Sequence, residues 1–295
     1  MAVQMKEIQV IPVQRNDYTM EQKMVVRANA YPSQKYKVSH NRRKRKYRKR
    51  RGLKCLKLCA IVLVLLCVVT NWFTEIPIIG KSARIEQLKQ QKSLPRDLLA
   101  LVEKNEETYD FVKNYPEREK YRNKEINLSK ECRSKTVPLL MQWDKRWGYD
   151  LYGDSMIALS GCGPTCMTMA YLYYTKDKTM NPVKMAEYAQ EQGYHSDEGT
   201  SWEFWTKGTE TLGLYGEEIS LDESIMKAVL DAGGVIVCSM SPGDFTDTGH
   251  YILLRGYDEK GFIVNDPNRK SNSKKQWDYA TLHKQIKNLW AIYGV

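Results

Sequence analysis

The sequence predicts an α+β domain, helices first and an antiparallel sheet second, preceded by a single membrane-spanning helix. Three observations predict it. Helical runs with caps and glycine stops occupy the middle of the chain, β-rich runs separated by turn residues fill its last third, and an uncharged apolar stretch follows a basic block near the N-terminus.

The 295 residues carry a formal net charge of +11, from 46 Lys and Arg against 35 Asp and Glu. Eleven of the basic residues fall between Arg42 and Lys57, with no acid among them, and the 35 that remain equal the acids in number. A basic nucleic-acid-binding domain is thereby excluded, because nothing basic is left to spread over a folded face. Directly after the block comes LCAIVLVLLCVVTNWF, and the uncharged run over 58–74 is 17 residues long, the short end of what crosses a bilayer as a helix. Lys54 and Lys57 can snorkel to the near interface and Trp72 suits the far one. The basic flank keeps the N-terminal side in the cytoplasm, so the C-terminal part is expected outside the cell membrane. A cleaved signal peptide fits less well, since TNWFTEIPIIGKS offers no A-x-A pattern for cleavage, and Leu66 before Cys67 argues against a lipoprotein signal. Cys55, Cys59 and Cys67 read as small apolar residues of this region, with acylation of Cys55 the alternative. The expected division is a cytoplasmic basic tail over 1–57, a signal anchor over 58–79, a helical stalk and lead-in over 80–136, and the folded domain over 137–295.

Residues 1–41 are polar without a clear period and read as a flexible tail; 81–92, rich in Lys and Gln, read as a solvated stalk. LPRDLLALVEKNEETYDFVKNYP predicts two short helices, the second stopped before Pro116. A charged connector then leads to Val137. Beyond it one helix follows Pro164 and runs to about Tyr174. A second is capped by Asn181, has Pro182 in its first turn and stops at Gly193. A third runs from Ser201 to Gly213 and a fourth from Asp222 to Gly233. GVIVCSM, HYILLRGY, GFIVND and LWAIYG then predict four strands.

The stretch SGCGPTC carries the first candidate for chemistry. Its glycines suit a tight turn, and Pro164 needs no hydrogen-bonded N–H in a first helical turn. Cys162 would face unpaired backbone N–H groups and the positive end of the helix dipole, both of which favour thiolate. Cys166, one turn inside, reads as core. A metal site at these two cysteines lacks nearby ligands to complete a tetrahedron, and no cofactor is expected. A thiol nucleophile needs a base, and His250 opens a strand in GHYILLRGY, a rigid mount; His195 lies in a polar loop and His283 on a basic helix. An acceptor for the imidazole is Asp266 in VNDPN. The connection DEKG suits a bulged hairpin with Gly261 left-handed, pairing Tyr257 with Ile263 and Leu254 with Asp266. That register leaves His250 and Asp266 on one face but roughly 13 Å apart along the strand, so a bend, most simply at Gly256, must close the gap. Gln142, a lone amide in VPLLMQWDKRWG, is the candidate oxyanion donor beside the Cys162 N–H.

VPLLMQWDKRWG, GCGPTC, GHYILLRGY and VNDPN, in this order, resemble the C39-like family of papain-type cysteine peptidases over roughly 137–295, and the helical lead-in resembles that of membrane-anchored bacterial members. The resemblance implies a papain-like fold with Cys162 as nucleophile, His250 as base, Asp266 as its orienting acid and Gln142 at the oxyanion, acting on a peptide or protein substrate. Relatives fused to export transporters trim leader peptides after a double glycine on the cytoplasmic side. This chain has no nucleotide-binding motif and one expected span, so leader trimming is not carried over. Two alternatives stay open: an amide transferase using the same site, and a non-catalytic peptide-binding module that keeps the fold.

Overall fold

The computed structural model describes residues 77–197 and 199–295. The basic tail and the apolar run over 58–74 lie outside the described residues, and among those described no helix is long and apolar enough to cross a membrane. The helices are α1 (Pro77–Lys89), α2 (Arg96–Lys104), α3 (Tyr109–Lys113), α4 (Ser129–Cys132), α5 (Ile157–Ser160), α6 (Cys162–Thr175), α7 (Pro182–Glu191), α8 (Lys207–Thr211), α9 (Glu223–Asp231) and α10 (Tyr279–His283). Two small hairpins, β1 (Leu151–Tyr152) with β2 (Ser155–Met156) and β3 (His195–Ser196) with β4 (Gly199–Thr200), stand apart from the main sheet. The sheet itself is antiparallel, ordered β5-β10-β6-β7-β8-β9, from β5 (Leu214–Glu218), β6 (Val235–Met240), β7 (His250–Asp258), β8 (Gly261–Asn265), β9 (Gln276–Trp277) and β10 (Ile286–Gly294).

Alternation along β6 shows how the sheet is covered. Val235 and Val237 join the cluster with Cys166, Met169, Ala170 and Leu172 of α6, whereas Ile236, Cys238 and Met240 join one with Met226 and Val229 of α9. Every residue of β6 is buried for that reason. Each such aliphatic side chain contributes about 1.5–3 kcal/mol relative to exposure. Helix ends follow their signals. The Asn181 side chain accepts from the N–H of Val183 and Lys184, and Asp222 does the same for Ser224 and Ile225. Gly193, Gly213 and Gly233 stand beyond the helix ends at φ of 75, 67 and 82°.

The expected helix from Ser201 to Gly213 is instead a 3₁₀ turn, Trp202–Trp205, followed by α8, with Thr206 breaking between them at φ −119°, ψ −80°. In a 3₁₀ turn side chains three apart eclipse, so Trp202 and Trp205 both meet Trp290, at ring separations of 5.6 and 6.2 Å. The 81–92 stretch is likewise no plain stalk: most of it is helical in α1, largely exposed but with Leu88 fully buried. α2 and α3 are the two expected short helices, and the chain passes Pro116 in 3₁₀ form, Tyr115–Lys120. Leu98, Val102, Phe111 and Val112 of this lead-in pack with Met141, Trp143, Tyr149 and Ala158, and Phe111 stacks on Tyr149 at 4.2 Å. The lead-in is therefore packed onto the domain rather than strung in front of it.

Candidate active site

Cys162 is the first residue of α6, following Gly161. The flanking glycines serve close approach, not the tight turn expected of them. Gly161 has an ordinary φ of −87°, while a Cβ on Gly163 would stand 2.2 Å from the Thr200 hydroxyl oxygen. β4 thus lies directly against the start of the helix. Cys162 is half-buried, whereas Cys166 is fully buried and its thiol donates to the Tyr251 carbonyl at 3.5 Å. Burial pushes the Cys162 thiol up, but the hydrogen bond and charge of His250, together with the N–H groups of Tyr251 and Gly163, outweigh it and hold it below its ordinary value. Burial and neighbouring Cys162 and Asp266 push the Cys166 thiol well above the ordinary range. One helical turn separates a thiol held below its ordinary value from one pushed well above it.

His250 opens β7 and its Nε2 meets Asp266 Oδ1 at 2.9 Å, both side chains buried. The nitrogen left for the Cys162 sulfur is Nδ1. Burial alone lowers the imidazole, yet the charge and hydrogen bond of Asp266, joined by Cys162, raise it to about 10. Burial would raise Asp266, but His250, the Asn272 amide and the Asn268 N–H bring it below the usual carboxylate value. Its oxygens accept four bonds: from His250 (2.9 Å), Asn268 N (2.8 Å), Arg269 N (3.1 Å) and Asn272 Nδ2 (2.7 Å). The thiol is lowered and the imidazole raised, each by the other, so the two form a coupled pair whose protons leave in shared steps.

The gap expected between His250 and Asp266 closes through register. Tyr257 pairs with Phe262 rather than Ile263, so the turn is one residue tighter; a bulge between Leu254 and Gly256, at the place anticipated, shifts the ladder once more, and Leu254 pairs with Val264. Continued past the Leu253–Asn265 pair, this register sets Asp266 opposite Ile252, two residues from His250 instead of four. A same-face diagonal of that size is within side-chain reach.

Gln142 is 4% exposed and held at both ends: its backbone N–H donates to the Pro267 carbonyl and Nε2 to the Ala158 carbonyl, each at 2.8 Å. Nε2 carries two hydrogens, one of them engaged by Ala158, Oε1 is buried without a hydrogen-bond partner, and the residue lines one cleft with Cys162 and His250. Gln142→Ala is expected to lower kcat by about 10²–10³ with little change in KM, measured by steady-state kinetics on a peptide substrate. Two hollows meet at Cys162 and His250. One, about 350 Å³, is walled by Gln142, Phe245 and the α2 residues Leu101 and Lys104; the other, about 800 Å³, by Thr200, Trp202, Met240 and Lys287. His195 packs edge-on to Tyr152 at 4.4 Å and His283 sits by Tyr279 at 5.3 Å, and neither lines these hollows. Asn272 and the Ala158 carbonyl were not legible as site groups: Asn272 lies in a polar, lysine-rich run with no local signal, and a carbonyl carries none. Among the described residues no group of three or more His, Cys, Asp and Glu is gathered as a metal site, and Cys132, Cys162, Cys166 and Cys238 are free thiols.

Residues 134–295 match the model of the Peptidase_C39 like family. Among solved structures, the peptidase domain of Streptococcus ComA, a bi-functional ABC transporter involved in a quorum-sensing pathway, is similar at 15% identity and a TM-score of 0.39, covering 55% of this chain and 100% of that one. A double glycine motif protease from an AMS/PCAT transporter, solved in complex with the leader peptide, is similar at 16% identity and a TM-score of 0.36, covering 55% of this chain and 94% of that one. No curated protein matches the chain.

Proposed function

Since the chain belongs to the Peptidase_C39 like family, we propose that it is a cysteine peptidase whose nucleophile is Cys162, with His250 as acid and base, Asp266 as orienting carboxylate and Gln142 as oxyanion donor. The observation that carries this reading is the placement of His250 between Cys162, whose thiol it lowers, and Asp266, bonded to it at 2.9 Å, in a cleft that Cys162 and His250 both line. The Cys162 thiolate attacks the scissile carbonyl carbon, and the oxyanion is received by Gln142 Nε2–H and the Cys162 N–H. Imidazolium gives its proton to the leaving nitrogen, the C–N bond breaks and a thioester remains. Neutral His250 then takes a proton from water, hydroxide adds to the thioester, and the acid product leaves with the thiolate restored. A peptide-binding role without turnover has no use for a depressed thiol beside a raised imidazole.

The test is the full-length protein incubated with a mixed peptide pool and analysed for new termini by mass spectrometry. New C-terminal carboxylates that disappear with Cys162→Ala are expected. Products in which an added amine replaces water would make it an amide transferase, and no Cys162-dependent product at all would remove the enzyme reading. The proposal extends to location: the basic block over 42–57 and the uncharged run over 58–74 anchor the chain with its C-terminal domain outside the cell membrane. Protease added to intact cells should digest that domain and spare the N-terminal tail; a protected domain overturns the extracytoplasmic placement.

A further inference from the structure

The stretch that matches the family begins at residue 134, yet residues of the lead-in, well before it, grip the loop that carries Asp266. Asn105, 3% exposed, donates through Nδ2 to the Asn268 carbonyl at 2.5 Å. Arg269 returns a guanidinium N–H to the Lys104 carbonyl at 2.7 Å. Glu107 sets its carboxylate on two successive backbone N–H groups, Lys270 at 2.6 Å and Ser271 at 2.9 Å. The next two residues complete the surroundings of Asp266: Asn272 Nδ2 donates to its Oδ2 at 2.7 Å, and Ser273 Oγ accepts its backbone N–H at 2.8 Å.

From the family stretch the loop is held by Trp143 Nε1 on the same Asn268 carbonyl at 2.7 Å and by Trp277 Nε1 on the Asn272 carbonyl at 2.9 Å, and the lead-in adds to these. Residues 268–276 read NRKSNSKKQ, without one apolar side chain to anchor them by burial. The grip is itself fixed, since Asn105 Oδ1 accepts the Glu107 N–H at 3.2 Å and fully buried Thr108 donates its hydroxyl to the Asn105 carbonyl at 2.6 Å. Bonds from N–H groups to a carboxylate are about twice as strong as neutral ones. The lead-in also walls the cleft through Leu101 and Lys104, and Lys104 reaches across to Asp247 at 3.0 Å.

We propose that the lead-in turn over 104–108 is part of the working site, with Glu107 and Asn105 as positioning residues that hold the 266–273 loop and, through it, the Asp266 carboxylate against His250. This rests on the reading of Cys162, His250 and Asp266 given above. It makes the functional unit longer than the family stretch: the segment ahead of residue 134 is needed for chemistry and not only for attachment.

The test compares Glu107→Ala, Glu107→Gln and Asn105→Ala in the full-length protein, each checked for wild-type near-UV circular dichroism. Two quantities are read: kcat and KM on a peptide substrate, and the rate of Cys162 alkylation by iodoacetamide across pH. The titratable groups facing the imidazole are Cys162 from α6 and Asp266 from the loop, with Cys166 behind them. Glu107→Ala is expected to lower kcat about 10–100-fold with KM unchanged, and to move the onset of alkylation to higher pH as His250 loses its fixed carboxylate. Asn105→Ala should do the same more weakly. Glu107→Gln keeps one acceptor oxygen and should fall between wild type and Glu107→Ala in both readouts. Folded Glu107 variants with wild-type kcat and a wild-type alkylation profile overturn the proposal. If Glu107→Ala does not fold, Glu107→Gln alone decides, and wild-type values there overturn it. Failure of the underlying reading looks different: it appears in the unmutated protein, as a Cys162 that is alkylated with the pH dependence of the denatured chain, and it takes this proposal with it. A wild type that turns over no peptide yet shows the shifted alkylation in its Glu107 variants loses the peptidase reading and keeps the clamp.

Discussion

Cys162→Ala is expected to abolish peptide turnover and all labelling of the cleft by a thiol-reactive peptide-like probe, whereas Cys166→Ala keeps most of the activity. Removing the nucleophile of a catalytic set of this kind costs on the order of 10⁶ in kcat. The two thiols share a helix face one turn apart, so residue type alone does not separate them. Position does. Cys162 receives N–H groups from Gly163 and Tyr251 and the His250 bond; Cys166 is sealed in the core and spends its hydrogen on the Tyr251 carbonyl. Cys166→Ala should therefore show up as a loss of stability of about 1 kcal/mol in denaturant melts. An inactive Cys166→Ala beside an active Cys162→Ala would refute the helix-terminus argument.

His250→Ala is expected to come close to the same loss, and to do so in two separable ways. The proton donor for the leaving nitrogen is gone, and the thiol loses the bond and charge that offset its burial. Iodoacetamide should then alkylate Cys162 only at pH above the ordinary thiol range, while His195→Ala leaves rate and profile unchanged. The wild-type pH profile follows from the same pair. The proposed chemistry needs Cys162 without its proton and His250 with one, so kcat/KM should rise through the depressed thiol titration and fall as the imidazole deprotonates toward about 10. Stability carries matching signs. The raised His250 contributes fully below its ordinary value near 6.5, and that contribution is lost as pH climbs through about 10. The lowered Asp266 contributes above its ordinary value near 3.8 and loses this only as pH falls through its depressed titration. An activity profile that peaks near pH 5 and is gone by pH 8 would rule out the ion pair.

What could be read from the chain alone divides along sequence distance. Caps and stops are local, and Asn181, Asp222, Gly193 and Gly233 all stand where their chemistry placed them. The four strongest β runs became β6, β7, β8 and β10. β5 escaped notice because LYGEE sits at the sheet edge with mostly exposed side chains, so neither alternation nor a hydrophobic run marks it. The helix expected from Ser201 was diverted by Trp290, far along the chain, drawing Trp202 and Trp205 to itself. The four proposed site residues, Gln142, Cys162, His250 and Asp266, stood out as odd residues in their surroundings. The hairpin register that joins two of them depended on a turn one residue tighter than DEKG suggests. Glu107 and Lys270 lie 163 residues apart, and nothing local to either names the other.

The backbone bond from Gln142 N–H to the Pro267 carbonyl has a consequence for how the site's parts can be counted. Pro267 directly follows Asp266, so the group that would receive the oxyanion and the group that steadies the imidazole are neighbours in one short strut. Strain placed on either end is felt at the other, and free energies assigned to the two by separate truncations are not independent quantities. Energies of residues in one network depart from additivity by about 0.5–3 kcal/mol. Damage to one end already slackens the other, so a second lesion finds less left to remove.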